Sequence, residues 1–154
     1  MRKHLIVAGV LFLATAATTL AQGKHVPTPS TWTLNLKLSD FGGDPAPVSD
    51  VQELTADTST RLAFSETMVD DKGVKSVIGY DGPVDGTMHP LTGMPGAMMS
   101  WDDKTDTGKS TMPDGSVVTT HLATVTKKRV TFHITMIAKN GKKTTQTLIY
   151  DRTK

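Results

Sequence analysis

Four thioethers and one imidazole crowd one short stretch of this chain: Met88, His89, Met94, Met98 and Met99, with Trp101 just beyond. Thioether sulfur is a soft ligand suited to Cu(I), above all in a chain without cysteine. The Gly/Pro-rich loop expected over Asp81 to Gly96 gives a way to fold the sulfurs inward around copper. The competing reading is packing, because methionine fills irregular gaps at the mouth of a barrel. Softness sets no coordination geometry, so packing leads and copper is the alternative.

The remaining candidates are polar groups set among apolar ones. Glu66 shares a predicted strand face with Leu62, Phe64 and Met68. A carboxylate there needs a partner, since an unpaired buried charge is costly. It is either a rim group reaching water or a lysine, or a contact for the polar head of a ligand. Phe64 and Tyr80 are the expected neighbours of such a ligand. His133 alternates with Phe132 and Ile134, so it lines the interior only if the lumen is polar. His121 lies on the adjacent predicted strand, but no third ligand stands near and a zinc site is not expected. Tyr150 and Arg152 share a face close to the chain end, where fraying is expected.

The acids of Asp102 to Ser110 match known motifs in letters only. Asp106-Thr107-Gly108 has polar flanks where an aspartic protease has an apolar strand. Gly108-Lys109-Ser110 lacks the glycine a P-loop needs five residues earlier, where Asp103 stands. The calcium-loop spacing fails at Lys104 and Thr107. There is no HExxH and no GxSxG. The chain is therefore read as a binding or structural protein rather than an enzyme.

The elements that must position these residues begin after an export signal. Arg2-Lys3-His4, the apolar run Leu5 to Leu13 and the small-residue tract ending at Ala21 have the anatomy of a signal peptide over residues 1–21. The apolar run is too short to span a bilayer comfortably. The expected location is secreted or periplasmic, with no membrane contact after cleavage. The leader holds two of the 17 basic residues and none of the 15 acidic ones, so the remainder balances at 15 against 15. That balance removes the basic footprint a nucleic-acid partner requires. The bases nevertheless concentrate beyond Lys127. One sheet that lays basic strands beside acidic ones accounts for that spread.

Residues 22–30 carry Pro27 and Pro29 and read as a flexible tether. From residue 31 to 154 the period is two. Trp32, Leu34, Leu36 and Leu38 alternate with polar residues, as do Val130, Phe132, Ile134 and Met136. Asn140-Gly141 is a hairpin signal, since both central residues of a type I′ turn need positive φ. No helical stripe follows the leader. Eight or nine strands joined by tight turns predict a single all-β domain, an antiparallel up-and-down meander that closes as a barrel or curls strongly.

Trp32-Thr33-Leu34-Asn35 near the start of this domain resembles the G-x-W opening of lipocalin-like (calycin-type) proteins, with Ser30 where that motif has glycine. Tyr80-Asp81-Gly82, His89-Pro90-x-x-Gly93-x-Pro95 and the closing Tyr150-Asp151-Arg152 are similar to a group of uncharacterised secreted bacterial proteins of lipocalin-like character. The resemblance implies a calycin-type barrel, with Arg152 or Arg129 packed over Trp32. It implies little about ligand; the apolar strand faces themselves lead to a binding protein for a small hydrophobic molecule, with Glu66, Phe64, Tyr80 and His133 as candidate contacts and no cofactor. A filled barrel with no ligand is the structural alternative.

Overall fold

The computed structural model describes residues 25–154. The expected signal peptide lies outside the described residues. The strands are β1 (Ser30–Leu34), β2 (Ser49–Asp57), β3 (Arg61–Val69), β4 (Lys75–Pro83), β5 (His89–Pro90), β6 (Met98–Asp102), β7 (Thr107–Thr111), β8 (Val117–Val125), β9 (Arg129–Ile137) and β10 (Lys143–Arg152). The tenth strand is the two-residue β5, inside the stretch expected to be loop. All ten form one antiparallel sheet in the order β4-β3-β2-β1-β10-β9-β8-β7-β6-β5. No helix occurs among the described residues.

Chain order and sheet order differ at one place. β1 pairs with β2 on one side and with β10 on the other. The first and last strands therefore join, and the open edges fall at β4 and β5. These edges meet. Gly79 and Thr92 exchange backbone hydrogen bonds of 2.9 and 2.8 Å, Gly86 N donates to Trp101 O at 2.8 Å, and Asp103 N donates to Val84 O at 2.9 Å. The sheet is thus a nearly closed barrel. Closure satisfies edge groups that would otherwise template aggregation.

The alternation read from sequence decides what faces inward. Trp32, Leu34, Val130 and Tyr150 form one buried cluster; Tyr80, Leu91, Ala97 and Met99 form another. The expected inward run of β1 stops early, however, and Leu36 and Leu38 are 41% and 50% exposed. Asn35 is the cause. Its Oδ1 accepts from the backbone N–H groups of Lys37 and Leu38, and its Nδ2 donates to Asp151 at 2.6 Å. A side chain that bonds the backbone two and three residues on turns the chain out of the strand.

Two β-bulges, between Leu54 and Ala56 and between Leu122 and Thr124, lie towards the same end of the barrel. Each shifts the alternation by one residue, so that Asp57 and Val125 face inward. Residues 25–29, read from sequence as tether, lie against this end, with Val26 buried in the Trp32 cluster. The basic β10 lies one strand from the acidic β2, and Arg129 Nε holds Asp151 at 2.6 Å on the outer surface.

The seam between β4 and the 91–97 segment depends on Gly93. Its φ is +81°. A Cβ there would overlap the backbone carbonyl of Val77. Gly141, at φ +82°, has open space around the same position. Gly141→Ala tests backbone strain alone, and a loss of about 1 kcal/mol is expected. Gly93→Ala adds the overlap and is expected to lower unfolding free energy in urea by about 2–4 kcal/mol. Equal losses at the two sites would show that the seam tolerates separation.

Candidate functional site

The inner face of β2 opens with polar residues. Register sets Asp50 opposite Met68, Gln52 opposite Glu66 and Leu54 opposite Phe64. Tyr150 of β10 sits across β1, as the Cα partner of Leu34. Its hydroxyl donates to Asp50 Oδ2 at 2.8 Å, so one hydrogen bond spans from β10 over β1 to β2. Gln52 Nε2 donates to Glu66 Oε2 at 2.8 Å. Asp50 is 4% exposed and Tyr150 2%. Phe132 stands edge-on to the Tyr150 ring at 5.9 Å. Among the described residues, Asp50 Oδ1 is buried with no hydrogen-bond partner.

The electrostatics follow from that burial. Loss of water raises the Asp50 carboxyl to about 6, against the pull of the Tyr150 hydroxyl. Glu66 rises to about 7, first by burial, then by the nearby Asp50 charge, with Gln52 opposing. Tyr150 is pushed upward by burial and by both acids, so it stays protonated and donates.

These groups line a cavity of about 300 Å³ that runs the length of the barrel. That volume is the small end of typical ligand sites. The walls are mainly apolar, including Leu62, Phe64, Ile78, Trp101, Phe132 and Leu148. Gly108, beside Trp101 on the neighbouring strand, leaves room for the indole, because a Cβ there would lie 2.8 Å from Trp101 Cε3. At the bulged end, Asp57 accepts from Val26 N at 2.7 Å and its other oxygen lies 2.9 Å from His25 Nδ1. His25 Nε2 is 3.7 Å from Asp103 Oδ1. The residues before β1 thereby cap this end.

The residues singled out from sequence separate into groups. Phe64 and Glu66 line the cavity. Glu66 is a half-buried wall group bonded to Gln52 rather than a rim group reaching water or a lysine. Tyr80 shares the sheet face of Phe64 but is packed among Leu91, Ala97 and Met99 and does not line the cavity; its ring is tilted against Phe64 at 6.2 Å and its hydroxyl donates to Pro83 O at 2.8 Å. His133 is on the outer face, with Nδ1 3.2 Å from Thr147 Oγ1. Its neighbours Phe132 and Ile134 line the cavity, and alternation turns His133 away from it.

The five residues of the Met/His stretch do not meet at one point. Met98 and Met99 are consecutive on β6 and point to opposite faces; Met99 lines the cavity. Met94 packs against the Tyr80 cluster, Met88 is exposed, and His89 Nε2 lies 2.9 Å from Thr87 Oγ1. Tyr150, expected to fray, is instead an interior anchor. The stretch expected as a loop over residues 81–96 supplies part of the barrel seam. Asp50, Gln52 and the His25–Asp57 contact carried no sequence signal. Compared with known proteins, the chain matches no family model, and a search of curated proteins finds no significant match.

A carboxyl raised on folding holds its proton more tightly in the folded than in the unfolded chain. Its contribution to stability is complete below the ordinary carboxylate range and is lost as pH rises through about 6 for Asp50 and about 7 for Glu66. The surface acids Asp81, Asp85, Asp102, Asp114 and Asp151 are held low by hydrogen bonds and titrate below this window. The ligand-free protein should therefore melt lower at pH 8 than at pH 5.5. The Asp50→Asn/Glu66→Gln double variant should raise stability at pH 8 by roughly 1–3 kcal/mol and flatten the profile. Thermal melts across pH check this; an unchanged slope in the variant would place the dependence elsewhere.

Proposed function

We propose that this chain is an exported, lipocalin-like binding protein that takes a small, mainly apolar molecule into its barrel and releases it unchanged. The observation that carries this reading is the apolar-walled cavity of about 300 Å³ with a few hydrogen-bonded polar groups on one wall. Apolar walls provide affinity in proportion to the area they remove from water, and sparse polar groups fix orientation. A barrel serving only as a structural module gains from filling that space, because voids forfeit packing contacts.

The way the acids are held supports the binding reading. Tyr150 and Gln52 orient the buried Asp50 and half-buried Glu66 carboxyls from the wall, as a recognition site requires. The basic start and apolar run before Ala21 support export.

Native mass spectrometry of the protein isolated from expressing cells should retain an organic mass, and a solvent-only spectrum counts against the reading. N-phenyl-1-naphthylamine, a neutral apolar fluorophore, should brighten on entering the cavity. Thr120 faces the cavity from β8. Thr120→Phe should reduce that binding at least tenfold while the circular dichroism spectrum is unchanged. Equal binding by the variant would place the probe on the surface.

A further inference from the structure

The cavity is lined by five carboxylates and one imidazole: Asp50, Asp57, Glu66, Asp103, Asp106 and His25. No lysine or arginine is among the described residues that line it. The chain after the leader carries equal numbers of acidic and basic residues. The basic side chains are therefore kept off the inner wall while acids are placed on it. At one end two of the acids flank His25, with Asp57 directly bonded to it and Asp103 nearby. Asp50 and Glu66 lie further along the barrel, with no lysine or arginine beside them among the described residues that line the cavity.

We propose that the ligand carries a protonated amine head, held between Asp50 and Glu66, on an apolar body that fills the rest of the cavity; this rests on the binding reading above and names the class of molecule bound.

The geometry favours an ammonium. Asp50 and Glu66 are diagonal neighbours across β2 and β3, because Asp50 faces Met68 and Glu66 precedes Met68 by two residues. Diagonal positions in an antiparallel pair stand roughly 7–8 Å apart. A nitrogen between two carboxylates, about 2.7–2.9 Å from an oxygen of each, fits such a gap. One oxygen of each acid is already held, Asp50 Oδ2 by Tyr150 and Glu66 Oε2 by Gln52. Those bonds aim the carboxyls without neutralising them. Asp50 Oδ1 is buried and has no partner, which is the acceptor an ammonium donor would satisfy. A carboxylate-headed ligand would meet only like charge. A neutral ligand would leave the two acids uncompensated.

The titratable groups facing the cavity are Asp50 on β2, Glu66 on β3 and Tyr150 on β10, with His25, Asp57, Asp103 and Asp106 towards the capped end. β1, β4, β6, β7, β8 and β9 contribute uncharged side chains to the wall. With Asp50 raised to about 6 and Glu66 to about 7, the site gains negative charge as pH rises through neutrality. Affinity for an amine should therefore strengthen from pH 5 to pH 8.

Head-group selectivity is the test. Octylammonium, 1-octanol and octanoate share one apolar tail and differ in head charge. Each is titrated into the full chain by calorimetry at pH 7.5, with ammonium chloride as the tail-free control. Octylammonium should bind at least tenfold more tightly than octanol, octanoate more weakly than octanol, and ammonium chloride should give no signal. The octylammonium preference should fall at least tenfold at pH 5. Asp50→Asn/Glu66→Gln should erase the preference, leaving octylammonium and octanol within threefold of each other while the circular dichroism spectrum is unchanged; Glu66→Gln alone should erase part of it. If octanol or octanoate binds as tightly as octylammonium, or if the double variant keeps the preference, the amine assignment is overturned and the binding reading stands. If ammonium chloride binds as tightly as octylammonium, the site takes a bare cation and the assignment is also overturned. If none of the tailed compounds binds, the binding reading itself fails and the amine assignment falls with it.

Discussion

One hydrogen bond, from the Tyr150 hydroxyl to Asp50, organises the interior of this barrel. It links residues a hundred positions apart and passes over β1, the strand through which the two ends of the chain meet. Trp32 and Leu34 on β1 lie in the same buried cluster as Tyr150. The bond forms only if β2, β1 and β10 are adjacent and in register, so it reports on closure as well as on the site. A buried carboxylate that lost this donor would be left with neither oxygen satisfied, and that penalty exceeds what the bond itself contributes. Site and fold are therefore not separable here.

Closure is achieved differently on the two sides of the sheet. Between β1 and β10 it is a regular ladder of paired strands. Between β4 and the 91–97 segment it rests on isolated bridges and a glycine pressed against the Val77 carbonyl. The second seam has fewer backbone bonds and no continuous ladder. It belongs to the part of a structure expected to open at lowest free energy. On the proposed binding reading, a ligand enters a barrel that is capped by His25 and Val26 at one end, and this seam is the wall most able to yield.

The legible parts of the sequence were those where apolar residues mark the inner face. Leu62, Phe64 and Met68 on β3 and Val130, Phe132 and Ile134 on β9 alternate cleanly, and Glu66 falls in the same alternation as the β3 residues. The antiparallel meander followed from the same pattern and from turns such as Asn140-Gly141. β2 was opaque because its pattern is inverted. Asp50 and Gln52 face inward while Val51 faces out, so polarity there does not report orientation. Asp57 was hidden by a bulge, which shifts the period without any residue type announcing it. Tyr150 lay too near the chain end for local pattern to show that β1 would cover it. The Met/His stretch illustrates the reverse error. Its residues are close in sequence, yet a strand sends Met98 and Met99 to opposite faces, and proximity along a strand is not proximity in space.

What remains to be accounted for is why a small barrel keeps two carboxyls in an apolar interior. Replacing buried charged groups by apolar ones of similar volume is often neutral or stabilising. Asp50 and Glu66 are therefore not retained to favour the empty fold, and their upward shifts mean that they oppose it at neutral pH. Their cost is offset if something binds the folded state and not the unfolded one, since a ligand at a hundred times its dissociation constant contributes about 2.7 kcal/mol. Tyr150 and Gln52 are consistent with that reading, because they fix the carboxyls in place without removing their charge. No lysine or arginine pairs with these acids on the described cavity wall, and on the proposed reading the ligand supplies the positive charge.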